Sequence, residues 1–559
     1  MIAQDWQWEP IDQQLASLLA EGENAPDHQA LKHAIRILSH QVRQGDVCLL
    51  LADYAGQQIE GYSAPSLPKW LTILESSSAV GKPGAITPLI LDDSKRLYFQ
   101  RYWQYEQQLA IALRDRAMQS TIPQATLSVD DNTLTELLQD QTLSEQQNQA
   151  ILQAIRSRLS IITGGPGTGK TTTIAGLLTI LYYCNPDSRI ALAAPTGKAA
   201  TRIQQAISDT VKLSSQRMQA STVHRLLGYR PNRVNFRHNA DNPLPYDTVI
   251  IDEASMIDLA LMSKLVDAVS TDARLILLGD ADQLVSVETG AVFGELCRNA
   301  ENSVLKHCIT RLQHSYRFAE CPGIGQLAEA VNIGDSDAAL LLLDAQQYPE
   351  VAWQASDMAR LDDYLIQQIA QQFEADAEPQ QCLQANNQFQ LLCAHRRWQW
   401  GVDRLNRYIE NLLYKHNFIS GQGQFYNGKP IIISRNNYQL DLFNGDIGLL
   451  ADSPSGELKA YFSKPDVGIR ILSPARLPAY QTAWALTVHQ SQGSEFDHVL
   501  LVLPEELSPI LSRELIYTAI TRARKSIRIL GSRDLVEKAI SVRINRQSGI
   551  WGKLENGIE

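Results

Sequence analysis

The sequence predicts an α/β protein: two domains built on parallel sheets, with small β-rich insertions, behind a mainly helical N-terminal domain. Two separate blocks in which short apolar strands alternate with helices predict the two sheets. The stretch IITGGPGTGKTTT, residues 161–173, runs an apolar strand into a glycine-rich loop and identifies the chemistry of the first block.

Residues 1 to about 120 read as the first unit. Leu31, Ile35, Leu38 and Val42 recur at helical spacing, and Gly45 follows as a C-terminal stop. Further on, KRLYFQRYWQYEQQLAIAL (95–113) places Tyr98, Tyr102 and Tyr105 on one face, beside Phe99 and Trp103. A packed core and a docking surface for another subunit both fit that face. Residues 119–142 are polar and read as a linker.

The first α/β block, taken as 121–330, has candidate strands SIIT (160–163), IALAA (190–194), TVIID (248–252) and ARLILLG (273–279). RPNRVNFRHNADNPLPY (230–246) has turn residues and no periodicity, and reads as a small insertion. The second block, taken as 331–559, begins its strands near FQLLCAH (389–395). It is interrupted from about 420 to 478 by KPIIISRN, GDIGLLAD, LKAYFS and IRILSP, spaced like a small barrel, and resumes at WALTVH (484–489) and HVLLVL (498–503).

A length of 559 residues predicts roughly three to five domains. Hydrophobic content of 44% with 20% charged residues is ordinary for a globular protein with large cores. No apolar run of bilayer-spanning length occurs, and the start MIAQDWQWEP lacks the pattern of a secretory signal, so a cytoplasmic location and no membrane partner are expected. The seven cysteines form no CxxC pair, and Cys297, Cys308 and Cys321 with His307 and His314 match no zinc spacing; buried thiols in a reducing compartment are the reading. A net charge of −11 argues against wholesale adsorption to nucleic acid but permits a local basic channel.

Gly164, Gly169, Lys170 and Thr171 satisfy G-x-x-x-x-G-K-[ST]. In the loop Gly164, Gly165, Pro166, Gly167, Thr168, Gly169, Lys170, Thr171, Thr172, backbone N–H groups can close around phosphate oxygens and the following helix offers its positive end. Lys170 is expected to reach the β and γ phosphates and Thr171 to hold Mg²⁺, so ATP and Mg²⁺ are the expected cofactors. TVIIDEAS ends a strand with Asp252, for the metal, and Glu253, for the proton of an attacking water. LLGDADQL ends another with Asp280 and Gln283, the latter placed to report the γ-phosphate. Arg317 in HSYRF and Arg522 in IYTAITRARK suit the charge of a transferring phosphoryl group.

The whole order resembles superfamily 1 DNA helicases and, over nearly the full length, the RecD family, the alpha subunit of bacterial exodeoxyribonuclease V (RecBCD). The resemblance rests on LSEQQNQA (143–150), with Gln147 on the adenine, then APTGKAA, STVHRLLG, IDEASMID, GDADQLVSVETGAVFGEL, SYRF, FNGDIG, TVHQSQGSEFD and YTAITRAR in order. ILSHQVRQGDVCLLL and PLILDDSKRLYFQRYW resemble the family's amino-terminal domain. One departure is Gln490, where many relatives carry lysine; it concerns a single backbone contact.

The resemblance implies two RecA-like domains clamping ATP, with single-stranded DNA across their tops and an SH3-like barrel inside the second. It implies DNA contacts, mostly to phosphates, from Thr196, Lys198, Thr222, His224, Thr487, His489 and Ser491, although His224 and His489 fit a structural role equally well; Trp484, Phe443 and Tyr229 fit base stacking, and core packing is the stronger reading for each. It also implies 5′→3′ movement, RecB- and RecC-like partners in a heterotrimer, and a nuclease site in a partner chain. Three functions fit: a translocase subunit of a RecBCD-type complex, a free-standing helicase of the same superfamily, and a structural subunit with a vestigial ATPase. The amino-terminal resemblance favours the first, and the intact set from Gln147 to Arg522 disfavours the last.

Overall fold

The computed structural model describes residues 6 to 556 except 7, 22–24, 120–130, 140–142, 211–218, 231–232, 234, 286–287, 299–302, 345–346, 356–357, 374–377, 422, 438 and 465–467. The predicted insertion at 230–246 and linker at 119–142 fall partly outside the described residues.

The first parallel sheet has six strands in the order Ile309–Leu312, Leu159–Gly164, Arg274–Gly279, Thr248–Ile251, Ile190–Ala194, Ser221–Thr222. Its central strands are buried on both faces, as helices on either side of a parallel sheet require. The loops after Leu159–Gly164, Thr248–Ile251 and Arg274–Gly279 therefore leave the same carboxyl edge, where open α/β sheets bind ligands.

A second parallel sheet runs Val351–Gln354, Ala523–Leu530, Phe496–Val502, Phe389–Cys393, Ala485–Thr487. The helix Pro322–Ile333 packs in its core, with Ile324 and Leu327 against Leu515 and Ile516, so the chain joins the second lobe before position 330. Between Phe389–Cys393 and Ala485–Thr487, five antiparallel strands form the inserted barrel-like sheet, from Lys429–Ile433 to Tyr480–Thr482. It ends four residues beyond the expected boundary because Tyr480–Thr482 pairs back onto Lys429–Ile433.

In the N-terminal unit, helix Ala25–Arg43 buries Leu31, Ile35 and Leu38, and the chain turns at Gly45 with φ +99°, a left-handed conformation suited to glycine. A mixed four-stranded sheet packs with it. The expected aromatic face divides: Tyr98 is core, and Phe99, Tyr102, Trp103 and Tyr105 are half-buried. Tyr98 lies in strand Arg96–Phe99, not in the helix, and is wholly buried. Helix Gln100–Met118 carries Tyr102, Trp103 and Tyr105 against the core of the first lobe, facing helix Leu259–Ala268. Arg116 ends this contact by donating to the carbonyls of Val269 and Ala273. The polar 119–142 stretch is not a plain linker, since Asp131–Gln139 is a helix with Leu134 and Leu138 buried beside Leu177.

The end of the chain also departs from the expected division. After the second lobe, Arg546 donates to the Glu288 and Gly290 carbonyls, Gln547 pairs with Asp46 and Val47, and helix Ile550–Asn556 lies on Gln100–Met118. Glu106 accepts from Ser548 and from the Gly549 amide, each at 2.9 Å, so the last elements are stitched to the N-terminal unit and first lobe.

Candidate active site at the seam of two lobes

A cavity of about 430 Å³ lies where the two lobes meet. Its floor is the glycine loop. Gly167 and Gly169 hold φ of +75° and +82°, which side-chain-bearing residues rarely adopt, and the loop leads directly into helix Lys170–Cys184, whose first residues line the cavity. Gln147 is buried beneath. Its amide donates to the Thr168 and Gly169 carbonyls, while its oxygen accepts from the Ser144 amide in a capping box. Lys170 Nζ lies 2.5 Å from the Gly164 carbonyl and 3.1 Å from that of Gly165, and Thr171 and Thr172 line the cavity wall.

Asp252 follows strand Thr248–Ile251, and its Oδ1 accepts from the Glu253 amide at 2.8 Å. Burial, then the charge of Glu253, pushes the Asp252 carboxyl above its ordinary range. Glu253 itself adopts φ +52°, a left-handed strain that a glutamate holds only when its surroundings fix it. Gln283 Nε2 donates to Asp280 Oδ2 at 3.0 Å, and burial raises the Asp280 carboxyl to about 6.

Groups from the second lobe close the far side. Arg522 is buried, with Nε donating to the Thr518 carbonyl at 3.1 Å and Nη1 to that of Ser494 at 3.2 Å. Arg317 reaches across to Glu495 at 2.6 Å and to the Thr521 carbonyl at 3.5 Å. Lys170, Asp252, Glu253, Gln283, Arg317 and Arg522 thus share one cavity. Sequence reasoning gave no role to Arg202, Glu495 or Tyr517. Tyr517 donates to Asp280 at 3.2 Å from the opposite lobe. Arg202 lies one helical turn beyond Lys198, a spacing that could have flagged it.

The expected strand contacts divide. Thr196 caps helix Gly197–Thr210, accepting from the Ala199 amide, and Lys198 Nζ donates to Ser494 Oγ at 2.6 Å. Burial lowers the Lys198 ammonium to about 8. Thr222 caps Val223–Leu226, and the exposed His224 meets Tyr229 and Phe236 edge to face. Thr487 and Gln490 bond one another, and burial lowers the His489 imidazole to about 4. Ser491 is different. It is wholly buried, donating to the Val488 carbonyl, so it locks the turn and is not presented to a ligand. Trp484 is likewise core, stacked on Phe373 with its indole N–H on Tyr426, and Phe443 packs on Gly197 beneath Lys464. Tyr229 stays exposed. Among the described residues no cluster of His, Cys, Asp and Glu forms a metal site, and no helix is long and apolar enough to cross a membrane.

The AAA domain family matches residues 147–289, the UvrD-like helicase C-terminal domain 482–530, and the RecBCD enzyme subunit RecD N-terminal domain 4–98. The RecBCD enzyme subunit RecD of Mycolicibacterium smegmatis is 36% identical over 98% of this chain and 97% of its own. The chain belongs to the RecD family. The Haemophilus influenzae RecD is 34% identical over 82% of this chain and 80% of its own. The ATP-dependent RecD2 DNA helicase of Deinococcus radiodurans is 32% identical over 78% of this chain but only 55% of its own length. Among solved structures, a Pif1 helicase from Candida albicans overlaps 71% of this chain and 97% of its own at 17% identity and a TM-score of 0.41.

Proposed function

We propose that the chain is an ATP-driven 5′→3′ single-stranded DNA translocase and helicase, the motor subunit of a RecBCD-type helicase–nuclease acting in double-strand break repair by homologous recombination and in DNA degradation. The observation that carries this is the shared cavity: Lys170 and Glu253 from one lobe and Arg522 from the other face the same space. A triphosphate there binds both lobes at once, and loss of the γ-phosphate removes one side of that attachment. Glu253 takes the proton of the attacking water, Gln283 reads the terminal phosphate, and Arg317 and Arg522 neutralise its charge. Gln147, under the loop, orients the base.

Thr171 and Asp252 supply a hydroxyl and a carboxylate to the same cavity, oxygen donors suited to Mg²⁺, which would polarise the phosphates. Thr196, Lys198, Thr222, His224, Thr487 and His489 form the proposed phosphate track, and Tyr229 is the aromatic exposed for base stacking. RecB- and RecC-like chains are the partners, the nuclease site lies in one of them, and the complex works in the cytoplasm. Match to RecD relatives along nearly their whole length supports a subunit over a free-standing helicase.

The test is an ATPase and translocation assay on oligonucleotides of each polarity, with and without the partner chains. Movement toward the 3′ end, dependent on ATP, is expected; ATPase without movement on either polarity would leave a structural subunit.

A further inference from the structure

Glu495 sits between the turn at 488–493 and strand Phe496–Val502 of the second lobe, with its carboxylate nearly buried. Three arginines converge on it. Arg202 Nη2 is 2.5 Å and Arg317 Nη2 2.6 Å from Oε1, while Arg524 Nη2 is 3.1 Å from Oε2. Arg202 and Arg317 belong to elements of the first lobe's side of the seam; Arg524 belongs to the second lobe with Glu495. Burial alone would raise this carboxyl, but the charges of Arg202 and Arg317 outweigh it and hold it far below its ordinary range.

One carboxylate cannot neutralise three guanidinium groups, so the cluster retains positive charge. Arg202, Arg317 and Glu495 all line the cavity that holds Lys170 and Arg522, which places that charge beside the expected triphosphate. Arg202 also lies one turn after Lys198 on helix Gly197–Thr210, and Lys198 holds Ser494, the neighbour of Glu495. Two successive turns of a first-lobe helix therefore grip two successive residues of the second lobe.

We propose that Arg202 is a further cation of the triphosphate site, and that Glu495 is the positioning residue that holds Arg202 and Arg317 on the phosphate side of the seam. The inference rests on the nucleotide reading of the cavity. Its physical basis is preorganisation. A loose arginine gives up rotamer freedom when it meets a phosphate, whereas one already held by a carboxylate has lost most of it beforehand. Because the holding group comes from the opposite lobe, the arginines are fixed only when the seam is closed.

The experiment compares full-length Glu495→Gln, Glu495→Asp, Arg202→Ala and the double variant Arg202→Ala/Glu495→Gln for DNA-stimulated kcat, for ATP KM and for binding of fluorescent ATP and ADP analogues. Lys170→Gln runs in parallel. Glu495→Gln is expected to lower kcat by about 10-fold while nucleotide affinity changes less than about 3-fold, with Glu495→Asp recovering part of the loss. Arg202→Ala is expected to weaken ATP more than ADP. The double variant is expected to be no worse than the poorer single one, since both remove the same unit. Losses that multiply, or an Arg202→Ala variant with unchanged ATP binding, would overturn the proposal. If Lys170→Gln also keeps full ATPase activity, the nucleotide reading itself has failed; if Lys170→Gln is inactive, only the Arg202–Glu495 unit has.

Discussion

The backbone amide of Leu284 donates to Thr518 Oγ1 at 2.8 Å, joining the lobes between two of the groups that should read the γ-phosphate. Gln283 precedes Leu284 in the chain, and the Thr518 carbonyl holds Arg522 Nε. Thr518 is wholly buried, so Thr518→Val keeps the shape and leaves the Leu284 amide without its acceptor. An unmet buried donor costs about 1–3 kcal/mol. The expected outcome is a several-fold lower DNA-stimulated kcat with nucleotide binding kept, measured by steady-state ATPase and analogue binding. Unchanged turnover would show that this bond does not couple the two groups.

Lys170→Gln removes the only charge on the loop side of the cavity that is carried by the glycine loop itself. DNA-stimulated ATPase is expected to vanish while circular dichroism and the melting profile stay as in the parent chain. Normal turnover would refute the site.

Arg522 makes its hydrogen bonds to Thr518, Ser494 and Thr521, all within its own lobe, so its loss leaves the first lobe's phosphate cradle intact. Arg522→Ala is expected to spare nucleotide binding and to cut turnover by about 10³-fold. A variant that hydrolyses at the parent rate would exclude this arginine from the chemistry.

Acid sensitivity follows from the buried carboxyls. Asp280 is raised to about 6 by burial, and Asp252 is raised by burial and by Glu253. Asp252 must be ionised to hold Mg²⁺, and Asp280 as a carboxylate accepts from both Gln283 and Tyr517, so kcat is expected to fall as pH drops through about 6, and added Mg²⁺ to move that limb to lower pH by favouring the Asp252 carboxylate. The stability sign is opposite. A carboxyl raised on folding contributes stability that is fully present below its unfolded value of about 4 and is lost as pH rises through its folded value. These two groups therefore should not lower the melting temperature across the window in which activity fails. A rate profile flat down to about pH 4.5 would contradict the assignment.

Trp103 packs on the core of the first lobe, with Lys553 over its ring. Trp103→Ala is expected to cost about 2 kcal/mol, less than a fully buried tryptophan, and to lower the melting temperature while the chain still co-purifies with its partners. Loss of partners at unchanged stability would favour the docking reading of this face.

What was legible in the sequence is local. The glycine loop, the apolar strands that precede Asp252 and Gln283, and the stripe of Leu31, Ile35 and Leu38 each encode their own conformation through backbone freedom or periodicity, and a chain segment carries those without its neighbours. The roles that emerged only from the fold belong to groups whose meaning depends on what faces them. Tyr98 and Trp484 have side chains that suit either a surface or a core, and only packing against Lys553 or Phe373 decides. Ser491 has the same hydroxyl as Thr487, yet full burial turns it into a turn lock. Glu495 and Arg202 stand 293 positions apart, and their 2.5 Å ion pair exists because helix Gly197–Thr210 of one lobe meets the loop before strand Phe496–Val502 of the other. Strand and loop are written in short-range sterics and hydrophobic period; the pairing of charges across a seam is decided where the closed chain removes them together from water.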